Sequence, residues 1–190
     1  MDLRNGISLN RVLLMSVISF GFYLFYWFYV TWKQYRDHTG EEVFPVWHAM
    51  TLGVPIYSLF RTHAHARVLK ELMIDRSLAT TIAPGWAVAA VMLSSAIDWN
   101  SLRAGLGEIE GLTQATAVRL FFQDVVSIAV VAWLLTHLQG NLNRYWQHVS
   151  SGRLLSAKIG VGEVIIAVIG VLLWLDTLAT LFNESYRLGL

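Results

Sequence analysis

The sequence predicts an all-α fold: a polytopic transmembrane helix bundle of about five spans with amphipathic interfacial helices. Three observations predict it. Residues 12–32 form 21 uncharged positions bracketed by Arg11 and Lys33, which at 1.5 Å per residue is about 30 Å, the hydrocarbon thickness of a bilayer. Only 14% of the 190 residues are charged and mean hydropathy is +0.51, where a soluble domain carries about a quarter charged residues. Long apolar stretches then recur along the chain, so it reads as one integral membrane domain over 1–190.

The first span, 12–32, holds a dense aromatic half: of the 13 residues from Phe20 to Trp32, nine are Phe, Tyr or Trp. Ser8 or Asn10 suits its N-cap, and Gly21 at mid-span permits a close helix neighbour or a slight bend. Gly21, Tyr23, Tyr26 and Trp27 are therefore candidates for helix packing or an aromatic lining. The stretch is too long for a signal-peptide core and no small-x-small cleavage site follows, so it reads as a retained anchor.

The polar loop ends at Pro45, a good first-turn residue. Residues 45–60 are a short second span containing His48, Gly53 and Pro55. The helical pattern continues through 61–75, with Ala64, Val68, Leu69, Leu72 and Met73 at three- and four-residue spacing, as a kinked helix that lies amphipathic at the surface. A weak internal echo lays Ser19–Tyr23 over Thr51–Pro55 at an offset of 32. The third span is 80–99, with Asp98 at its end, and a Gly-spaced acidic segment with room for a short interfacial helix follows. The fourth is 120–138, with Gln123 and Asp124 in its first turns; Gly140 and the asparagines after it are expected to end that helix. The fifth is 159–182, carrying Glu163 and Asp176.

Five spans put the termini on opposite sides. Nine Lys and Arg then fall with the N-terminus and five with the C-terminus, which by the positive-inside rule makes the N-terminus cytoplasmic and the C-terminus external. The loop acids Asp37, Glu41, Glu42, Glu108 and Glu110 fall outside on the same count. In that arrangement His48, Gln123, Asp124 and Asp176 share one depth as an intramembrane polar cluster. A carboxylate there costs about 2.5–3.5 kcal/mol even on lenient scales and should face the bundle interior.

Several chemistries are excluded or unsupported. With no Cys there are no disulfides, thiolate metal sites or Cys nucleophiles. A net charge of +1 argues against a nucleic-acid partner. No H-E-x-x-H, Walker loop or G-x-S-x-G occurs, so no catalytic residues and no metal site are assigned. His48 is the one candidate cofactor ligand, for haem or a pigment.

Ser19-Phe20-Gly21-Phe22-Tyr23, Tyr26-Trp27-Phe28-Tyr29, Pro45-Val46-Trp47, Tyr57-Ser58-Leu59-Phe60-Arg61 and Leu138-Gln139 with Asn143 resemble an uncharacterised family of small bacterial polytopic membrane proteins. Its first helix has the pattern T/S-x-G-x-Y-x-x-Y-W-F-Y. Here the first loop carries Asp37, Glu41 and Glu42 where the family favours Lys, and His48 stands where it favours Arg. The resemblance implies a bacterial inner-membrane, multi-pass protein and no assigned activity. The expectation is a non-enzymatic accessory or scaffold subunit of a membrane complex or homo-oligomer, in contact with the lipid bilayer and with other membrane subunits or itself. A small transporter or channel with an outer-leaflet polar cavity is the second expectation, and a pigment, haem or quinone binder the third.

Overall fold

The computed structural model describes residues 6–107, 112–150 and 156–188, without the Leu188 side chain. Arg4, Arg153, Glu108 and Glu110, used in the charge counts above, lie outside the described residues, as does the middle of the acidic segment. The described chain is all α: α1 (Leu9–Ile18), α2 (Tyr23–Thr39), α3 (Pro45–Met50), α4 (Pro55–Asp75), α5 (Pro84–Gly105), α6 (Gln114–Val149), α7 (Val161–Phe182) and α8 (Glu184–Leu188), with one 3-10 turn at Thr51–Gly53. The only β feature among them is a parallel bridge of Gly6 with Ser156. Two helices, α6 and α7, are long and apolar enough to cross a membrane.

The 36-residue α6, about 54 Å long, is a ruler for everything else. Ile7 hydrogen-bonds Asn143 near its C-terminal end; Gly21 lies against Ile128; Trp27 bonds Gln139; His38 bonds Tyr145. The chain therefore climbs about 22 Å along α6 and then comes back down. The stretch 12–32 is not one continuous span but a helical hairpin, α1 up and α2 down, with both ends at the C-terminal end of α6, called the base below.

The reversal has a local cause. Phe20 and Gly21 both take the left-handed conformation, at φ 55° and 83°, which breaks the helix; glycine adopts it freely, whereas for Phe20 it costs on the order of 1–3 kcal/mol. The Gly21 amide reaches back to the Ser16 carbonyl at 2.8 Å, and the Ser19 hydroxyl accepts from the Tyr23 amide at 2.8 Å, capping α2. Helix α7 clamps the break. Gly170 lies so close that a Cβ there would sit 2.2 Å from Ser19 Cα. Trp174 Nε1 donates to the Val17 carbonyl at 2.7 Å, and its ring meets Phe20 edge-on at 5.0 Å.

A second hairpin follows the first. His48 stacks on Trp32 at 4.4 Å and Gly53 reaches Phe25, so α3 climbs alongside α2. Helix α4 returns: His65 packs on Phe28 at 4.5 Å, and Arg76 lies by Tyr145 and His38 at the base. Pro55 does not kink a continuing helix but opens a new one, where its missing amide is harmless. The two breaks, 19–22 and 51–54, sit at the offset of 32 seen in the sequence echo.

From the base, α5 runs to the far end, α6 returns and α7 runs out again. Thr80 and Thr81 join Asn141, Ser94 joins Ser127, and Gln114 bonds the Leu181 carbonyl. Helix α6 passes straight through Gly140 because Asn141 and Asn143 spend their side chains on tertiary partners rather than on ending it.

Polarity runs from inside out. Ser16, Ser19, Thr31, His65, Gln139 and Glu163 are at most 1% exposed, while Val161, Ile165, Leu172 and Phe182 of α7, Trp86 and Trp99 of α5, and Trp47, Ile56 and Phe60 of the second hairpin face outward.

Substituting Gly170 by Ala drives a methyl into the backbone of the hairpin break. Thermal unfolding in detergent should show a loss of about 2 kcal/mol or more; an unchanged midpoint would mean that α7 does not dock there.

Candidate functional site

Buried polar side chains gather in three places. The first is at the far end, between α5 and α6. Asp98 Oδ2 accepts from Ser127 at 2.7 Å and from Ser94 at 3.5 Å, and the two serines bond each other at 2.8 Å. Asp124, one turn before Ser127, is buried beside Ser101 and within electrostatic reach of Asp98. Gln123 Oε1 and Ser101 Oγ are buried with no hydrogen-bond partner. None of the ion pairs among the described residues includes Asp98 or Asp124. Two carboxylates with several hydroxyls and an amide make an acceptor-rich pair, suited to a shared proton or a small cation.

The second is an ion pair where α1 and α7 begin. Arg11 meets the Glu163 carboxylate in bidentate fashion, Nε donating at 2.8 Å and Nη2 to the other oxygen. It also donates to the Ala157 carbonyl at 2.6 Å and to that of Lys158 at 3.2 Å. Ser8 caps α1 and so fixes where Arg11 emerges. The Tyr23 hydroxyl is buried beside Glu163, and Tyr26 lies against Gly160 and Gly162. In low dielectric a fork-on-fork pair with every guanidinium nitrogen engaged is the arrangement that offsets desolvation best.

The third lies between the hairpins and the base of α6. Trp27 Nε1 donates to Gln139 at 2.7 Å, Gln139 to Asn143 at 2.8 Å, and Asn143 to the Ile7 carbonyl at 2.7 Å, so one buried chain of bonds ties α2, α6 and the N-terminal segment together. Beside it, Thr31 bonds His65 Nε2 at 2.9 Å, and His65 is enclosed by Trp27, Phe28 and Trp32. At the base, His38 bonds the Tyr145 hydroxyl at 2.8 Å. Burial, and then Arg76, holds the His38 imidazole below its ordinary range. Burial raises the Tyr145 phenol, with Arg76 offsetting part of the rise.

The residues expected to share one depth do not form one cluster. Gln123 and Asp124 are neighbours on α6, and the carboxylate within electrostatic reach of Asp124 is Asp98. His48 is in the second hairpin, its ring on Trp32 and its Nδ1 3.0 Å from Arg61. Asp176 is exposed on α7 and accepts from Tyr186 at 2.5 Å. The physical reason is the first hairpin: it turns the second hairpin back to the base, so His48 approaches from the opposite end to Asp124. Gly21 forms the break, and Tyr23 and Trp27 are fully buried within the chain.

The sequence showed Glu163 only as an acid of the fifth span and did not pair it with Arg11; the signal available was a lone acid in an apolar helix with few cations to choose from. It likewise put His65 on a surface helix. Among the described residues no three His, Asp or Glu gather closely enough to hold a metal. Compared with known proteins, the chain matches no family model, no curated protein and no solved structure.

Replacing Arg11 by Ala strands the Glu163 carboxylate and should cost about 3–5 kcal/mol in chemical unfolding. The double variant Arg11→Leu with Glu163→Leu should recover most of that loss. A loss in the double variant equal to the sum of the losses from the two single substitutions would show that the pair is not coupled.

Proposed function

We propose that this chain is a non-enzymatic integral membrane protein in which α5, α6 and α7 cross the bilayer and the α1–α2 and α3–α4 hairpins are re-entrant from the cytoplasmic side. The observation that carries this reading is the inside-out distribution of polarity. Apolar outer faces of this extent are unusual on a soluble monomer, and helix breaks at membrane depth are tolerated where protein buries them, as α7 buries Ser19. The charges favour the same reading. Arg11, Lys33, Arg36, Arg61, Arg67, Lys70, Arg76, Arg144 and Lys158 belong to the base end or to the hairpins opening onto it, and Arg103, Arg119 and Arg187 to the far end. Over the same described residues the five-span arrangement gives seven against five, so nine against three is the stronger bias, and by the positive-inside rule it favours a cytoplasmic base.

The role that fits best is an accessory or scaffold subunit of a bacterial inner-membrane complex or of a homo-oligomer. Helix α7 supports it: nearly its whole outer surface is apolar and open, while the Glu163 and Asp98 carboxylates are held in internal bonds. Recruitment through α7 leaves the two hairpins as the protein's own core.

A second reading, a small proton or cation transporter, is favoured by one observation, the Asp98 and Asp124 carboxylates beside the unpartnered Gln123 and Ser101.

Native mass measurement after mild solubilisation separates the two. The subunit reading predicts a stable homo-oligomer or a retained membrane partner; a lone monomer that drives proton or sodium flux in liposomes, lost in Asp124→Asn, would replace it with the second reading.

A further inference from the structure

Helices α1 and α7 meet at the Arg11–Glu163 pair and again where Gly170 and Trp174 reach the end of α1, and between these contacts they border an apolar groove of about 680 Å³. Its walls are Leu14 and Met15 on one side and Val164, Ala167, Val168 and Leu172 on the other. We infer that this groove is a binding site for one phospholipid with an anionic headgroup, its acyl chain lying along Ala167 and its phosphate at Lys158. The inference rests on the membrane reading above.

Three features of the groove select this occupant. Length is the first: from the first residue of α7 at Val161 to Leu172 is about 17 Å, close to half of the ~30 Å hydrocarbon core, so the groove spans one leaflet. A protein helix seated there would continue across the other leaflet, but the hairpin tip stands in that direction: Phe20 and Trp174 close ring to ring half a turn beyond Leu172. The groove is thus open at the headgroup level and blocked near mid-depth, which is the shape of a lipid tail.

Charge is the second. Arg11 and Glu163 neutralise each other at the mouth, and neighbouring Lys158 is exposed and in none of the ion pairs among the described residues. Among the described residues the mouth therefore carries one net positive charge at the depth where phosphates lie, worth on the order of 1 kcal/mol against an anionic lipid. Chemistry is the third: below the mouth the named wall side chains are all apolar, suited to hydrocarbon and to nothing polar.

Because the site is built on α1, a bound lipid braces the rising arm of the first hairpin from outside, opposite its packing against α6.

The test uses the full chain. Retention in carbonate-washed membranes is measured first, and then, after delipidation in detergent, native mass spectrometry with phosphatidylglycerol and phosphatidylcholine at equal concentration. Wild type should carry one phosphatidylglycerol with about fivefold preference, the equivalent of ~1 kcal/mol. Lys158→Gln should lose the preference while still binding lipid. Ala167→Trp should fill the groove and lose the bound lipid with its helix content unchanged by circular dichroism; should that variant unfold, Val168→Trp, from the same wall, gives the same readout. A chain that stays in washed membranes but binds both lipids equally, or keeps phosphatidylglycerol in a folded tryptophan variant, overturns this inference alone. A chain released by carbonate overturns the membrane reading with it.

Discussion

Everything in this fold depends on the four residues at which the first apolar stretch turns round. Ser19 to Phe22 break a helix that hydropathy alone would run straight through, and the break survives because α7 supplies what it lacks. Trp174 donates a side-chain bond to the Val17 carbonyl, which the Phe20 amide also reaches, Gly170 has no side chain and so lets the Ser19 backbone lie against it, and the Phe20 ring finds a partner to offset its left-handed backbone. A helix near the C-terminus thereby fixes the path of one near the N-terminus, and the clamp and the turn stabilise each other.

The consequences reach the charges. Once α2 returns, Lys33, Arg36 and Asp37 sit at the same end as Arg11, and the second hairpin must open there too. The interior then has to accommodate polar groups in low dielectric, and it does so by pairing: Arg11 with Glu163, Trp27 with Gln139, Asn143 with Ile7, Ser94 and Ser127 with Asp98. Each bond is worth more in such surroundings than in water, and each broken bond leaves a costly orphan. Buried atoms without a hydrogen-bond partner remain at Tyr23, Trp32, Thr62 and Trp146 as well as at Gln123 and Ser101; beside the last two lie the Asp98 and Asp124 carboxylates, which is why that is the place where a transported ion would fit.

Much of the helical content was legible in the sequence. The long helices α5, α6 and α7 follow from apolar length, Pro45 and Ser8 from their preference for helix starts, and the burial of Asp124 from the cost of a carboxylate in hydrocarbon. Continuity of 12–32 was not legible, because hydropathy measures transfer into lipid and is blind to dihedral angles. The local hints were Gly21 and the echo at Gly53, faint because two matches in an apolar alphabet carry little information. Gly140 misled in the other direction: its backbone preference is about 1 kcal/mol, less than the Asn141 and Asn143 bonds that hold α6 straight. Trp27, Gln139 and Asn143 lie far apart in the sequence yet form one hydrogen-bonded chain, a packing requirement that hydropathy does not disclose.

The reversal of the first hairpin is tested most directly by sidedness. The chain has no cysteine, so single substitutions Glu42→Cys, Gln147→Cys and Gly107→Cys, all at exposed positions, can each be labelled with an impermeant maleimide in sealed vesicles of known orientation. With the first hairpin reversed, Glu42→Cys reacts from the same side as Gln147→Cys and from the side opposite to Gly107→Cys. Labelling of Glu42→Cys from the Gly107 side would mean that residues 12–32 cross the membrane as one helix, and would contradict the reversal.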